Sequence, residues 1–166
     1  MALQLPPHER PTIGWREWLK LPDLGVEAIK VKVDTGARSS ALHAFDLEEY
    51  VSPDGRAMVR FKVHPFQRDL ATTVLCEAEL VDRRHVRSSH GHATLRPVIL
   101  TTLELAGQRR LIEVTLAARD AMGFRMLLGR QALRGQFLVD PGRSFVAGRR
   151  KIRRIRRKKK RKKRNP

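Results

Sequence analysis

Residues 27–37 read Glu-Ala-Ile-Lys-Val-Lys-Val-Asp-Thr-Gly-Ala and join an alternating segment to an acidic turn. Within Glu27–Val33, the apolar residues Ile29, Val31 and Val33 alternate with Ala28, Lys30 and Lys32. This period of two is typical of a half-buried strand. Asp34 ends this strand, and Gly36 lets the chain turn tightly and brings backbone N–H groups close to the carboxylate. The pattern predicts that a rigid strand presents Asp34 at the mouth of a cleft, although an ordinary Asp-initiated turn after a strand uses the same residue types.

The chain on either side of this segment predicts more short strands. They are expected at Arg56–His64, Thr72–Val81, Arg96–Ala106, Arg109–Leu116 and Gln136–Asp140, the last stopped by Pro141-Gly142. Helical periodicity is limited to short candidates at Ala117–Met122 and Arg130–Arg134. Turn signals at intervals of about 8–12 residues with few helices indicate a mainly β protein, either a barrel or a sandwich.

The charge of the chain is concentrated at one end. The 166 residues include 35 Lys and Arg against 17 Asp and Glu, and 14 of the basic residues lie between Arg149 and Arg164. The other 21 basic residues nearly balance the 17 acidic ones. Composition therefore predicts a flexible arm at 1–11, a domain at 12–148 and a disordered Lys/Arg-rich tail at 149–166.

The basic tail predicts an anionic partner. Lysine and arginine bind phosphates by releasing counterions, but the tail has no aromatic residue on which bases could stack. Non-specific binding to RNA or the ribosome through residues 149–166 is therefore favoured over recognition of a specific base sequence. A solubilising extension with no dedicated partner is an equally weighted alternative.

Composition also excludes several classes of protein. A single cysteine, Cys76, excludes an intramolecular disulfide framework and a cysteine-rich zinc module. No apolar run approaches the roughly 18 residues that cross a bilayer, and the N-terminus lacks the pattern of a secretory signal. We therefore expect no membrane insertion and a cytoplasmic location.

Metal and nucleotide sites have little support in the sequence. His85, His90 and His92 form a local cluster that could hold a metal, but a polar loop is the simpler interpretation. Neither His-Glu-x-x-His nor Gly-x-x-x-x-Gly-Lys is present. We expect no metal and no other cofactor, and we expect Cys76 to be a buried hydrophobe rather than a nucleophile.

A second motif, Leu127-Leu128-Gly129-Arg130, follows late in the chain. Together with Asp34-Thr35-Gly36-Ala37 it resembles the pattern of retropepsins, which are one-domain aspartic proteases. Four further strings are similar to the retropepsin-like aspartic endopeptidases of bacteria and archaea, a group long labelled ATP-dependent zinc proteases. They are Ile13–Trp18, Leu21–Leu24, Lys32–Ala44 and Arg96–Ile99. The resemblance extends over most of the domain and not over the tail.

The resemblance implies a small closed β-barrel with one or two short helices. It implies catalytic roles for Asp34, Thr35 and Gly36, substrate binding by Ala37, Arg38, His90 and Gly91, and structural support from Leu128, Gly129 and Arg130. The segment between the two motifs is longer than in viral retropepsins, and we place a candidate flap in the small-residue loop at 87–92.

The implied mechanism is hydrolysis by two carboxylates that share a proton. Because the chain has one Asp-Thr-Gly, the second carboxylate would come from another copy in a two-fold homodimer. The resemblance thus implies an aspartic endopeptidase acting on polypeptide, and the family's link with enzymes that add glutamates to ribosomal protein suggests acidic or ribosome-linked targets. The alternatives are a catalytically idle barrel that binds RNA or the ribosome through its tail, and a metalloprotease.

Overall fold

The chain forms one continuous β-sheet that closes on itself. The computed structural model describes residues 4–88, 90–118 and 123–148. Within these residues the strands are β1 (Thr12–Leu21), β2 (Val26–Asp34), β3 (Ser40–His43), β4 (Phe45–Val51), β5 (Ala57–Val63), β6 (Val74–Arg87), β7 (Ala93–Leu105), β8 (Gln108–Ala117), β9 (Met126–Gly129) and β10 (Leu138–Ser144). One helical turn, α1, spans Arg130–Leu133, and 3-10 turns lie at Pro7–Glu9 and Pro22–Leu24.

Six of the strands make a closed barrel. They follow the order β1-β2-β9-β3-β8-β7, and β7 returns to β1 where Glu104 pairs with Lys20. Strand β10 lies on the free side of β1, while β6, β5 and β4 continue from β7 outside the barrel. The predicted mainly β fold, a closed barrel with a short helix, is confirmed.

Strand β2 has the alternation that the sequence predicted. Ile29, Val31 and Val33 are buried, whereas Lys30 and Lys32 between them are half-exposed. The buried set packs with apolar side chains of β1, β3, β7, β8 and β9 into one core. Burying such side chains is the main favourable term in folding, so the register of β2 is fixed by its inward residues.

A long hairpin of β6 and β7 extends past the barrel. Its strands pair from Leu80↔Ile99 to Arg87↔Ala93, and its turn is closed by a 2.8 Å hydrogen bond from Ser88 N to His92 O. The sequence predicted strands ending at Val81 and beginning at Arg96 here, so the hairpin is several residues longer than expected. Its outer part is rich in charged residues, which hides the period-two apolar signal.

The predicted end of the last strand is wrong. Strand β10 does not stop at Pro141-Gly142 but continues to Ser144, and a bulge lies between the pairs Gly14↔Asp140 and Arg16↔Ser144. Proline is tolerated at this position because β10 is an edge strand and the bulge leaves the missing N–H without a ladder partner.

Two predicted features fall partly outside the described residues. In the candidate helix Ala117–Met122, Ala117 ends β8 and residues 119–122 are not described, nor is the tail from 149. Residues 4–11 of the arm include a 3-10 turn and attach to the barrel through a 3.0 Å bond from Leu5 N to Gly135 O. No helix in the described part of the chain is long and apolar enough to cross a membrane.

A buried carboxylate joins β1 to the segment that follows β10. Glu17 is fully buried, and its Oε1 accepts hydrogen bonds from the backbone N–H groups of Gly14 at 2.7 Å and Val146 at 2.8 Å, with a longer bond from Ala147 at 3.3 Å. A buried charge is tolerated only where hydrogen bonds replace its water shell. These bonds fix the position of the chain immediately before the tail.

Replacing Glu17 with alanine should therefore destabilise the barrel by about 3 kcal/mol, because the buried amide groups lose their acceptor. Urea unfolding followed by circular dichroism measures this loss. Glu27→Ala, which removes an exposed carboxylate from β2, is the control and should change the free energy of unfolding by less than about 0.5 kcal/mol. Equal stability of the two variants would contradict the anchoring role.

Candidate active site

Asp34 ends β2 and begins a tight turn. Its Oδ1 accepts hydrogen bonds from the backbone N–H groups of Gly36 and Ala37, both at 3.1 Å. Within the described residues its other oxygen, Oδ2, has no hydrogen-bond partner. The side chain is half-exposed. The turn thus holds the carboxylate in one orientation and leaves Oδ2 able to bind water or a second carboxyl group.

The motif at the end of β9 lies directly behind this turn. Strand β9 runs parallel to β2, with Gly129 opposite Asp34, and antiparallel to β3. The first turn of α1 then reaches over the loop: Arg130 N donates to Ala37 O at 2.7 Å, and the Arg130 Nη1 group donates to Thr35 O at 3.0 Å. Gln131 N adds a bond to Arg38 O at 3.1 Å. The two motifs, far apart in sequence, therefore form one unit.

Gly129 is the point of closest approach in that unit. A Cβ atom placed there would lie 2.4 Å from the carbonyl carbon of Ser39 and 2.5 Å from its oxygen, distances that no side chain can occupy. Gly129 N donates to the buried Oγ of Ser40 at 3.0 Å, and Thr115 Oγ1 donates to Ser40 O at 3.1 Å. Glycine is required here by space, since its φ of −83° suits any residue.

A cleft of about 970 Å³ opens beside Asp34. Its lining is Lys32, Asp34, Gly36, Ala37, Arg38, Ser39, Ala41, Arg84, His85, Val86, Arg87, Ser88, Arg96, Glu113, Thr115, Leu127 and Gln131. The loop at 34–39 forms one wall and the outer part of β6 forms the other. A cleft of this size, with the carboxylate at its edge, can hold several residues of an extended polypeptide.

The cleft is strongly basic. Its second acid, Glu113, is engaged by Arg84, whose Nη1 lies 2.6 Å from Glu113 Oε2. This bond, together with the one to Asp82, raises the pKa of Arg84. Lys32, Arg38 and Arg87 form no ion pair within the described residues. The lining therefore carries an excess of positive charge, which favours the binding of anions.

The structure separates the predicted substrate-binding residues into two groups. Ala37 and Arg38 line the cleft, whereas His90 and Gly91 lie at the tip of the β6–β7 hairpin and are not part of its lining. Residues 84–88 line the cleft instead. Arg87 and Ser88 belong to the candidate flap at 87–92, but residues 84–86 were not predicted to line the cleft, because only the register of the hairpin shows which residues lie beside the Asp34 turn.

The histidine cluster does not come together. His85 lies on β6 opposite Leu95 and lines the cleft, while His92 lies at the level of Ser88, three residues further along the hairpin. No group of three potential metal ligands is found in the described part of the chain. Cys76 is buried, as predicted, and burial raises its pKa to about 12, so its thiol is a poor nucleophile at neutral pH.

Comparison with known proteins agrees with this geometry. The family model for RimB-like proteins, described as the retropepsin-like aspartic endopeptidase RimB, matches residues 12–150. The chain belongs to the RimB-like family. The match contains Asp34, the β9 motif and both walls of the cleft.

Several curated relatives of this RimB-like chain are named differently. The chain is 44% identical over 136 residues to a probable alpha-L-glutamate ligase of Shewanella pealeana and 43% identical to one of Desulfotalea psychrophila. The match covers 82% of this chain but only 30% and 29% of those proteins. More than two thirds of each relative therefore lies outside the RimB-like part.

A solved structure supports the fold. The crystal structure of a Legionella pneumophila protein of unknown function has 30% sequence identity and a TM-score of 0.69, covering 82% of this chain and 98% of that one. The RimB-like barrel therefore also occurs as a chain of similar extent to the region matched here.

Gly129→Ala should destabilise this RimB-like domain by about 3 kcal/mol or more, because the added methyl group would force β9 away from the backbone of Ser39 and Ser40. Urea unfolding measures the loss. Gly123→Ala is the matched control, since no atom of the described residues lies within 4 Å of a Cβ atom placed there. If both alanine variants unfold at the same urea concentration, the close contact is not a constraint.

Proposed function

We propose that this RimB-like chain is an aspartic endopeptidase that hydrolyses peptide bonds in acidic polypeptides. The observation that carries the proposal is the Asp34 carboxylate, held by two backbone N–H groups at the edge of a basic cleft with Oδ2 unbound in the described structure. Family membership supports the same reaction class.

Hydrolysis of this type needs a second carboxyl group. Glu113, the other acid that lines the cleft, is engaged by Arg84, so it is poorly placed to exchange protons with Asp34. We therefore propose that Asp34 of a second copy supplies it across a two-fold axis. A two-fold interface brings the same residue of both protomers together at the axis.

The two carboxyl groups would then share one proton. Two carboxylates a few ångströms apart do not both ionise readily, so one stays protonated while the other is charged. The charged group takes a proton from a bound water, which attacks the peptide carbonyl carbon, and the protonated group donates its proton to the carbonyl oxygen. The carboxyl group that took the proton from water then donates it to the amide nitrogen, while the other carboxylate takes a proton from a hydroxyl of the tetrahedral intermediate. The C–N bond breaks and the amine leaves, with no covalent bond to the enzyme at any stage.

The charge of the cleft supports an acidic substrate. Lys32, Arg38 and Arg87 are unpaired in the described structure and would bind carboxylate side chains on either side of the cleaved bond. The relatives named as probable alpha-L-glutamate ligases support a glutamate-rich polypeptide in particular. A cytoplasmic location is part of the proposal, and the free, buried thiol of Cys76 is compatible with it.

Asp34→Asn should retain the fold and lose peptidase activity by at least about 10³-fold, because the amide keeps an Oδ1 acceptor but cannot exchange a proton. Cleavage of a quenched fluorogenic peptide rich in glutamate measures activity. Asp140→Asn is the matched control: Asp140 Oδ1 accepts a similar 2.9 Å bond from Gly142 N on the edge strand β10, and its amide should leave activity unchanged.

Full activity of Asp34→Asn would contradict the proposal. If, in addition, deletion of residues 149–166 abolished the function of the protein, the alternative of an idle barrel that binds RNA or the ribosome would replace it. If a chelator abolished activity and Asp34→Asn did not, the result would instead indicate a metalloprotease.

If the active form is a homodimer, an inactive chain should inhibit the wild-type chain by forming mixed dimers with it. After refolding with a nine-fold excess of Asp34→Asn, only about a tenth of wild-type chains would pair with each other, so activity per wild-type chain should fall roughly ten-fold. The same excess of serum albumin is the control and should leave activity unchanged. Activity that is indifferent to excess Asp34→Asn would show that one chain carries the whole site.

A further inference from the structure

The outer surface of β1 and β2 carries a row of cations and aromatic rings. Arg16 on β1 pairs with Lys32 on β2, and Trp18 pairs with Lys30, so these four side chains share one side of the sheet. The residues between them, such as Glu17 and Val31, point into the barrel and are buried. We call the four residues Arg16, Trp18, Lys30 and Lys32 the β1–β2 outer face.

Aromatic rings hold the cations of this face in place. The Arg16 guanidinium lies 4.7 Å from the ring centre of Trp15 and 5.0 Å from that of Phe145, and its Nε donates to Ser144 Oγ at 3.1 Å. Lys30 Nζ lies 5.5 Å from the ring centre of Phe124. Such contacts fix a cationic group without neutralising it, so less side-chain freedom is lost when an anion binds.

The positive charge of this face is not balanced by acids. Arg16, Lys30 and Lys32 form no ion pair within the described residues. Desolvation, followed by the neighbouring charges of Arg16 and Arg68, lowers the pKa of Lys30. Crowded cations repel one another, so the arrangement costs stability and a bound anion would relieve that cost.

The β1–β2 outer face is continuous with the catalytic cleft. Lys32 belongs to the face and also lines the cleft beside Asp34. At the other end Trp18 lines a second pocket of about 540 Å³ together with Gly148, the last described residue before the basic tail. A chain that leaves the cleft past Lys32 would therefore pass over Arg16 and Lys30 towards the start of the tail.

We infer that the β1–β2 outer face is an exosite that binds glutamate or aspartate side chains of the substrate beyond the cleft. This inference rests on the proposed endopeptidase function. A polypeptide is favoured over RNA because the protein's own cations cover ring faces of Trp15, Phe124 and Phe145, which bases would otherwise stack on. Continuity with the cleft is the second reason.

The experiment compares two double variants of equal charge. Arg16→Gln with Lys30→Gln removes the exosite cations, while Arg56→Gln with Arg134→Gln removes two exposed cations that lie outside the face and the cleft lining. Each pair is made in the full-length chain, with and without Asp34→Asn, and circular dichroism checks that each variant is folded.

Binding is measured in the Asp34→Asn proteins, where no cleavage interferes. We expect the exosite variant to bind a fluorescent glutamate-rich peptide about five-fold more weakly than its parent, and the control variant to lose less than two-fold. Equal weakening in both would overturn the exosite, because it would show only general charge attraction. A loss of affinity for a single-stranded oligoribonucleotide, with none for the peptide, would overturn it in favour of RNA.

Cleavage separates this inference from the proposed function. Two peptides share one cleavable sequence and differ in an extension of glutamates or of glutamines. The ratio of their kcat/KM values should be well above one in the wild type and the control variant and should approach one in the exosite variant. An unchanged ratio in the exosite variant would overturn the inference; absence of any cleavage by the wild type would overturn the proposed function, while the binding result would still decide the exosite.

Discussion

The close contact of Gly129 with the backbone of Ser39 and Ser40 is the constraint on which the site depends. Only a residue without a side chain lets β9 lie against the start of β3, and that approach places Gly129 opposite Asp34. The backbone N–H groups of Arg130 and Gln131 then reach the carbonyl groups of Ala37 and Arg38. Asp34 is held in one place because two segments that are distant in sequence pack against each other with their backbones in contact.

Charge is distributed unevenly over the domain. On the sheet extension of β4, β5 and β6, acids and bases neutralise one another in the pairs Asp46–Lys62, Glu48–Arg60, Glu77–Arg60 and Glu49–Arg83. In the cleft and on the β1–β2 outer face most cations form no ion pair within the described residues. A domain that is nearly neutral in composition thus presents a strongly positive path along this surface.

Local patterns predicted the elements that are short and regular. The alternation in β2 and the helix after Gly129 were recognisable because burial on one face, or a glycine before a turn, leaves a mark in a few residues. The course of β10 through Pro141 was not, since a bulge on an edge strand tolerates a residue that normally ends a strand. The outer half of the β6–β7 hairpin was also missed, because it covers no core and has no apolar period.

The sequence alone determined the mainly β class, the acidic turn at Asp34 and the glycine of the second motif, because each depends on residue types within short segments. The tertiary structure decided which side chains come together. Residues 84–88, rather than His90 and Gly91, line the cleft, and Glu113 forms an ion pair with Arg84. Arg16 and Lys30 lie on one face of the sheet. These relations depend on strand register and on closure of the barrel, which bring together residues far apart in the chain and leave no local signal.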